Sequence, residues 1–335
     1  MKRNGIRKKI AMPLCLLLMG GLFLGGREVR AAEASAQEQT ADYVSATVEE
    51  CAEMLLESIP EPNCGSVGGE WAVFGLARFG EIEAEEWFEG YYERLEAYVE
   101  SCEGVLHAKK YTEYSRVILA LTAMGKDPSD VAGYNLLTPL ADYEQTIFQG
   151  INGPIFALLA LDSGNYEIPQ NVADSTQATR ELYVKAILDQ ELADGGWALT
   201  GDQADIDITA MALQALAKYQ EQPEVADAVE RALEVLSKQQ NDNGGYFAYD
   251  AESSETISQV ITALTELNVD PYEERFVKNG KTLLGRLMEF HTEDGGFSHL
   301  PEDATDLMAT EQAFYALVAL DRMYQGESSL YTMAE

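Results

Sequence analysis

Basic side chains are scarce in this 335-residue chain. It has 23 Lys plus Arg against 57 Asp plus Glu, a formal charge of −34. A phosphate backbone or an anionic membrane surface would be repelled by such a chain, so nucleic-acid binding and membrane-surface docking are excluded as main roles. Three His and four Cys leave little material for a transition-metal site. No P-loop, Rossmann fingerprint, G-x-S-x-G element, C-x-x-C pair or complete D-x-[DN]-x-[DN]-G calcium loop occurs. No metal and no cofactor is therefore expected. Apolar residues make up 46% of the chain, enough to bury a sizeable core.

Residues 1–9 carry five basic side chains, and an apolar run from Ile10 to Gly26 follows. Small residues then occupy Val29 to Ala36, so cleavage after Ala31, Ala34 or Ala36 each obeys a small-x-small rule. The pattern predicts a signal peptide over 1–34 and a secreted protein with no membrane attachment after cleavage. The alternative is an N-terminal membrane anchor, for which the run is short and interrupted by Gly and Pro. Cys15 lies inside the run and not at a cleavage point, which argues against a lipoprotein. Export leaves Cys51, Cys64 and Cys102, at most one internal disulfide, with the pair left open.

The strongest internal signal is repetition. Segments 193–219, 242–267 and 293–323 each hold a Gly pair, an aromatic (Trp197, Tyr246, Phe297), a polar loop and an Ala/Leu-rich helix. The Gly pairs end at 196, 245 and 296, giving periods of 49 and 51. Weaker copies lie at 66–80, 111–125 and 151–164. Amphipathic stretches alternate with these at 41–59, 85–102, 131–149, 176–191, 224–240 and 273–291. In the clearest, Val225, Ala228, Val229, Ala232, Leu233 and Leu236 form one stripe. A helical hairpin cannot bury its apolar face alone, so six of them must stack. The terminal units are no more polar than the middle ones, which favours a closed ring over an open solenoid. The expected fold is all-α: an (α/α)6 toroid, one domain over 35–335, with inner and outer helix rings.

These repeats resemble the terpenoid cyclase and protein prenyltransferase α/α toroid superfamily. The cyclase element Q-x3-G-x-W is matched by Gln240 to Tyr246, with Tyr for Trp. Glu191 and His291 take the Gln place ahead of Trp197 and Phe297. Class II cyclases of the family protonate an alkene from a D-x-D-D motif, and Asp205-Ile206-Asp207-Ile208 is similar with its last acid replaced. The resemblance implies Asp207 as proton donor with Asp205 in support. Family cyclases place the chamber between or within two barrels, and one barrel is half of that. Prenyltransferases hold zinc through Asp, Cys and His in the later repeats. Here Cys102 is the last cysteine, and His291 and His299 have no thiolate partner. The segment Asp207-Ile208-Thr209-Ala210-Met211-Ala212-Leu213 also resembles the α-domain of the cobalamin carriers, which implies a corrinoid-like ligand. The carriers close over the corrinoid with a β-domain, for which no counterpart is expected within these 335 residues.

Asp205 and Asp207 open an Ala/Leu helix, where Asp favours capping and the helix dipole regardless of function. In a toroid all inner helices start at one end. Asp205, Asp207, Glu255, Asp306 and Glu113 would then converge as an acid ring able to hold a cationic group. Trp197, Tyr246 and Phe297 read either as wedges between helices or, with Tyr111 and Tyr114, as an aromatic lining for an apolar or sugar-like ligand. Paired carboxylates at a mouth could also hydrolyse glycosides, given the right separation.

The leading expectation is a secreted, non-enzymatic toroid that takes a small apolar or corrinoid-like ligand, or a surface partner, at one mouth. The alternative is a degenerate class II cyclase with Asp207 as acid, and a purely structural module is the third reading. A deep apolar chamber with Asp207 pointing into it would mark the enzyme. A shallow polar mouth, with Asp207 bonded to backbone N–H groups, would mark the binder. A filled centre would leave only structure.

Overall fold

A computed structural model describes residues 26–248 and 251–334. The expected leader falls on residues 1–25, outside the described residues, and on the opening of the first helix. The compact body begins at Ala41.

Among the described residues twelve α-helices alternate between two rings. The outer members are α1 (Gly26–Ser58, from Ala41 onward), α3 (Glu85–Ser101), α5 (Tyr143–Ile147), α7 (Arg180–Leu188), α9 (Pro223–Gln239) and α11 (Leu283–Leu287). The inner members are α2 (Trp71–Phe79), α4 (Thr112–Ala123), α6 (Asn152–Ser163), α8 (Ile206–Leu216), α10 (Ser254–Glu266) and α12 (Leu307–Gln325). Each inner helix packs on the next, and α12 packs back on α2. Small side chains make this crowding feasible. Gly75 in α2 leaves room for Phe314, whose ring would lie 2.8 Å from a Cβ at that position.

The three Gly-Gly loops show the same closure. The first glycine of each pair has positive φ, +95° at Gly195, +91° at Gly244 and +89° at Gly295, a region open mainly to glycine. Each sits against the outer element of the following repeat: Gly195 on Arg231 of α9, Gly244 on Thr282 at the start of α11, and Gly295 on Glu50 of α1. The last repeat therefore treats the first as its successor, and the hairpins close on themselves.

Two outer stretches differ from the expectation. Segment 131–149 is mostly non-helical: Val131 and Tyr134 bridge a turn with positive φ at Ala132 and Gly133, Pro139 lies in a 3-10 turn, and only α5 remains. Segment 273–291 breaks at Asn279-Gly280, both with positive φ, which form a tight turn bridged by Lys278 and Lys281. Asn-Gly is a strong turn signal that local apolar spacing masked. A two-residue hairpin, β1 (Phe247–Ala248) with β2 (Ala251–Glu252), also replaces part of the polar loop before α10. The outer stripe of α9 matches the predicted residues, all buried.

Cys51, Cys64 and Cys102 are all unpaired, so the allowed disulfide does not form.

The chain end covers the end of the ring where the inner helices finish. Arg78 donates to Ser329 O (3.0 Å), Tyr331 stacks on Phe74 (5.4 Å, 17°), and Met333 N donates to Ser163 O (2.9 Å). Glu266, at the last turn of α10, accepts from Ser329 Oγ (2.8 Å) and Tyr331 N (3.1 Å). One tail thus meets the C-terminal ends of α2, α6 and α10, as parallel inner helices require.

Candidate binding mouth

At the other end the inner helices begin, and their local sequence sets the geometry. Asp205 precedes α8 and its Oδ1 accepts from Ile208 N (3.0 Å); Asp306 precedes α12 and its Oδ1 accepts from Ala309 N (2.9 Å). Both are N-caps that satisfy otherwise unpaired amides. Ser253 does the same for α10 through Thr256 N (3.2 Å). Asp205 and Asp306, expected as site residues, are thus both engaged in capping through one carboxylate oxygen.

The aromatics that follow the Gly pairs lie inside the wall. Trp197, Tyr246, Phe297 are fully buried and Tyr114 is nearly so. Trp197 N donates to Thr209 Oγ1 (3.0 Å), which donates back to Trp197 O (3.1 Å), while Trp197 Nε1 donates to Ile187 O of α7 (2.8 Å). Phe297 and Thr310 repeat the backbone clamp at 2.9 and 3.2 Å. The ring thus joins outer to inner helix. Tyr246 fills the equivalent place, but its hydroxyl has no partner. Tyr114 packs edge-on against Tyr111 (5.4 Å). None of Trp197, Tyr246, Phe297 or Tyr114 is placed to line a ligand site, because the wall itself covers them.

Asp207 and Glu255 occupy the second residue of α8 and α10, two positions after their caps. The mouth brings them close enough for the Glu255 carboxylate to oppose ionisation of Asp207. Burial is the main force on Asp207 and lifts its pKa to about 6, helped by Asp205 and Glu255 and opposed by a Thr256 hydroxyl. Its Oδ1 has no hydrogen-bond partner. Glu255 meets His299 Nδ1 at 2.8 Å.

Glu311 was not anticipated. It lies one turn deeper on α12 and is 1% exposed. Its Oε1 accepts from Gly68 N (2.7 Å), whereas Oε2 is buried without a partner. Burial lifts its pKa to about 8, with Glu70 and Asp306 adding to the rise and the Gly68 amide opposing it. A carboxylate inside an otherwise Ala/Leu-rich run was the signal available in the sequence.

The acids across the ring are neutralised. Arg116 Nε donates to Glu70 (2.9 Å) and its NH2 to Glu113 (2.5 Å). Asp207, Glu255 and Glu311 have no Lys or Arg partner among the described residues. Charge at the mouth is therefore lopsided, uncompensated on the side of α8, α10 and α12.

Below the carboxylates the ring axis is occupied. Trp71 of α2 meets Phe156 of α6 at 6.1 Å and Tyr315 of α12 at 5.9 Å. Gln259 donates to Tyr315 Oη (2.5 Å) and Gln312 Oε1 (2.9 Å), and accepts from Gln214 Nε2 (2.9 Å). The centre is therefore filled below the mouth, and Asp207 Oδ1 above it bonds no backbone N–H. An open groove of about 420 Å³ near Thr122, Lys126, Tyr166 and Met333 lies at the opposite end. No cluster of metal-ligating side chains occurs among the described residues.

Residues 180–294 match the model of the squalene-hopene cyclase C-terminal domain. Among solved structures, type II terpene cyclase MstE from Scytonema is 14% identical, with 84% of this chain and 99% of that one covered and a TM-score of 0.53. The unsaturated glucuronyl hydrolase of Bacillus sp. GL1, responsible for the degradation of glycosaminoglycan, is 12% identical, with coverage of 87% and 99% and a TM-score of 0.55. No curated protein matches. The chain is an α/α toroid with squalene-cyclase-like repeats.

At these identities the likeness to solved structures is one of fold, and function lives in the site. The toroid's matched region contains the Trp197 and Tyr246 motifs and Asp205-Ile206-Asp207. It stops before Phe297, and its Asp207 stands above a filled axis.

Proposed function

We propose that this toroid is a secreted, non-catalytic binding protein whose acidic mouth takes a cationic group of a ligand or partner. One observation carries the reading: Asp207 and Glu255 sit together at the starts of α8 and α10, and among the described residues no Lys or Arg neutralises them. Burying Asp207 Oδ1 with no hydrogen-bond partner, beside a second carboxylate, is costly. An incoming ammonium or guanidinium removes that cost. The basic, apolar and small-residue order of residues 1–36 supports export. No helix among the described residues is long and apolar enough to cross a membrane.

The cyclase reading has Asp207's raised pKa in its favour. Its chemistry needs a dry chamber large enough to fold a polyene around the acid, and Trp71, Phe156 and Tyr315 fill the place where that chamber would be. The same filling removes support for an apolar or corrinoid-sized guest within the ring.

The test uses spermine as probe in isothermal titration with the secreted protein. Saturable binding that weakens with salt and is lost in Asp207→Asn/Glu255→Gln supports the proposal. Equal binding by the double variant overturns it. So does turnover of a linear polyprenyl substrate that disappears in Asp207→Asn. Native mass spectrometry of the secreted protein gives a second readout, a co-purified cation released by salt.

A further inference from the structure

Apolar exposure on the toroid is not scattered. Of the eight large apolar side chains exposed among the described residues, six fall one to a repeat: Val67, Val105, Phe148, Leu199, Phe247 and Met308. The first five lie in the connections that lead into α2, α4, α6, α8 and α10, and Met308 is the second residue of α12. The inner helices are parallel, so these positions all rim the acidic mouth. The other two are Tyr98 on the outer helix α3 and Val172 in the connection from α6 to α7, at the opposite end of the ring. Single exposed apolar residues need no explanation, but a set repeated around one opening does.

The dimensions favour a macromolecular occupant. Six helices in a ring at 8–10 Å spacing span roughly 16–20 Å from corner to corner, and the rim lies outside them. The ring alone encloses roughly 200–310 Å², less than the about 800 Å² per partner of a standard protein-protein patch but more than a small cation covers. The charge selects the partner's chemistry. Asp207 and Glu255 offer negative potential inside the apolar rim, and among the described residues His299 faces Glu255 as its counter-group. On the opposite side Arg116 is already paired, and Lys109 lies over the Phe148 ring (5.5 Å). A second copy of this chain would bring like charge to the mouth.

Resting on the reading above that Asp207 and Glu255 receive a cation, we infer that the mouth docks a protein segment in which Lys or Arg is flanked by apolar side chains. The basic group sits over Asp207 and Glu255 while its apolar neighbours cover Leu199, Phe247 and Phe148. Such a surface combines an apolar contact with a desolvated charge pair, which together give affinity and register.

Fluorescence anisotropy of the full toroid with labelled peptides of roughly 12 residues, a length that spans such a rim, tests this. The three probes are Lys alternating with Leu and Phe, Lys alternating with Ser, and Glu alternating with Leu and Phe. The first should bind at least about tenfold more tightly than either control. Leu199→Ser/Phe247→Ser/Phe148→Ser, all at exposed positions, should remove that preference while spermine binding stays intact. Equal binding of the Lys–Ser peptide, or no effect of the triple variant, sinks the docking inference and leaves the cation reading standing. Loss of spermine binding by the wild-type protein sinks both. Rim-dependent binding to phosphatidylcholine vesicles, or rim-dependent dimerisation, would also overturn it in favour of a lipid surface or a second copy.

Discussion

Glu311 Oε1 accepts a hydrogen bond from Gly68 N at 2.7 Å, joining the last inner helix to the loop before the first. The contact spans nearly the whole sequence and closes the ring at the level of the mouth. It also holds a carboxylate where water does not reach its second oxygen. Structure and the proposed site therefore meet in one residue.

That burial makes stability depend on pH in a definite direction. Glu311 ionises near the ordinary 4.5 when unfolded and at about 8 when folded. The folded state binds the proton more tightly, so the contribution is fully present below pH 4.5 and is lost as pH rises through 8. Glu311→Gln keeps an acceptor for Gly68 N and removes the titration. Thermal melts of the wild type between pH 5 and 8.5 should show falling stability, with a slope of at most about 1.4 kcal/mol per pH unit from this group. The Gln variant should flatten that slope and be the more stable protein at pH 8.5.

Asp205 and Asp207 separate by substitution although they are neighbours. Asp205→Ala removes a cap and should cost about 1 kcal/mol in urea denaturation, with spermine binding unchanged. Asp207→Asn should leave stability unchanged or raise it above pH 6, because a buried charge is removed, and should abolish binding. Equal effects of the two variants on binding would contradict the division into cap and ligand group.

The wall aromatics should behave as core. Trp197→Ala and Phe297→Ala are each expected to cost about 3–5 kcal/mol, measured by urea denaturation. Tyr246→Phe is expected to be neutral or stabilising by about 1 kcal/mol, since it deletes a buried hydroxyl with no partner. A destabilised Tyr246→Phe would mean that the hydroxyl has a use the fold alone does not reveal.

The cysteines should titrate as three thiols. Cys51 is fully buried, and burial, with Glu50 nearby, pushes its thiol well above the usual range; burial also lifts Cys64 to about 11. An aromatic disulfide reagent should leave Cys51 unreacted in the native protein and count all three thiols after denaturation in the mature chain. Loss of two thiols on oxidation, without unfolding, would show a bridge after all.

Periodicity made much of this legible in advance. The Gly-Gly spacing and the Ala/Leu runs identified the six inner helices, because a repeated local pattern reports a repeated packing environment. The α9 stripe was legible for the same reason. Segments 131–149 and 273–291 were misread as helices because apolar spacing hid the turns at Ala132-Gly133 and Asn279-Gly280. The motif letters also placed Asp207 at the mouth. They could not tell a cap from a ligand group at Asp205, since both uses place Asp at a helix start.

By itself the sequence determined the helical hairpins, their number and the end of the ring at which acids gather, all of which follow from neighbours a few residues apart. The rest came only with the ring closed. Arg116 neutralises Glu70 and Glu113 but not Asp207 or Glu255, Glu311 on the last inner helix reaches Gly68 before the first, and Trp71, Phe156 and Tyr315 occupy the axis. Those pairings depend on which helices face each other across a space, and no local pattern of residues encodes that distance.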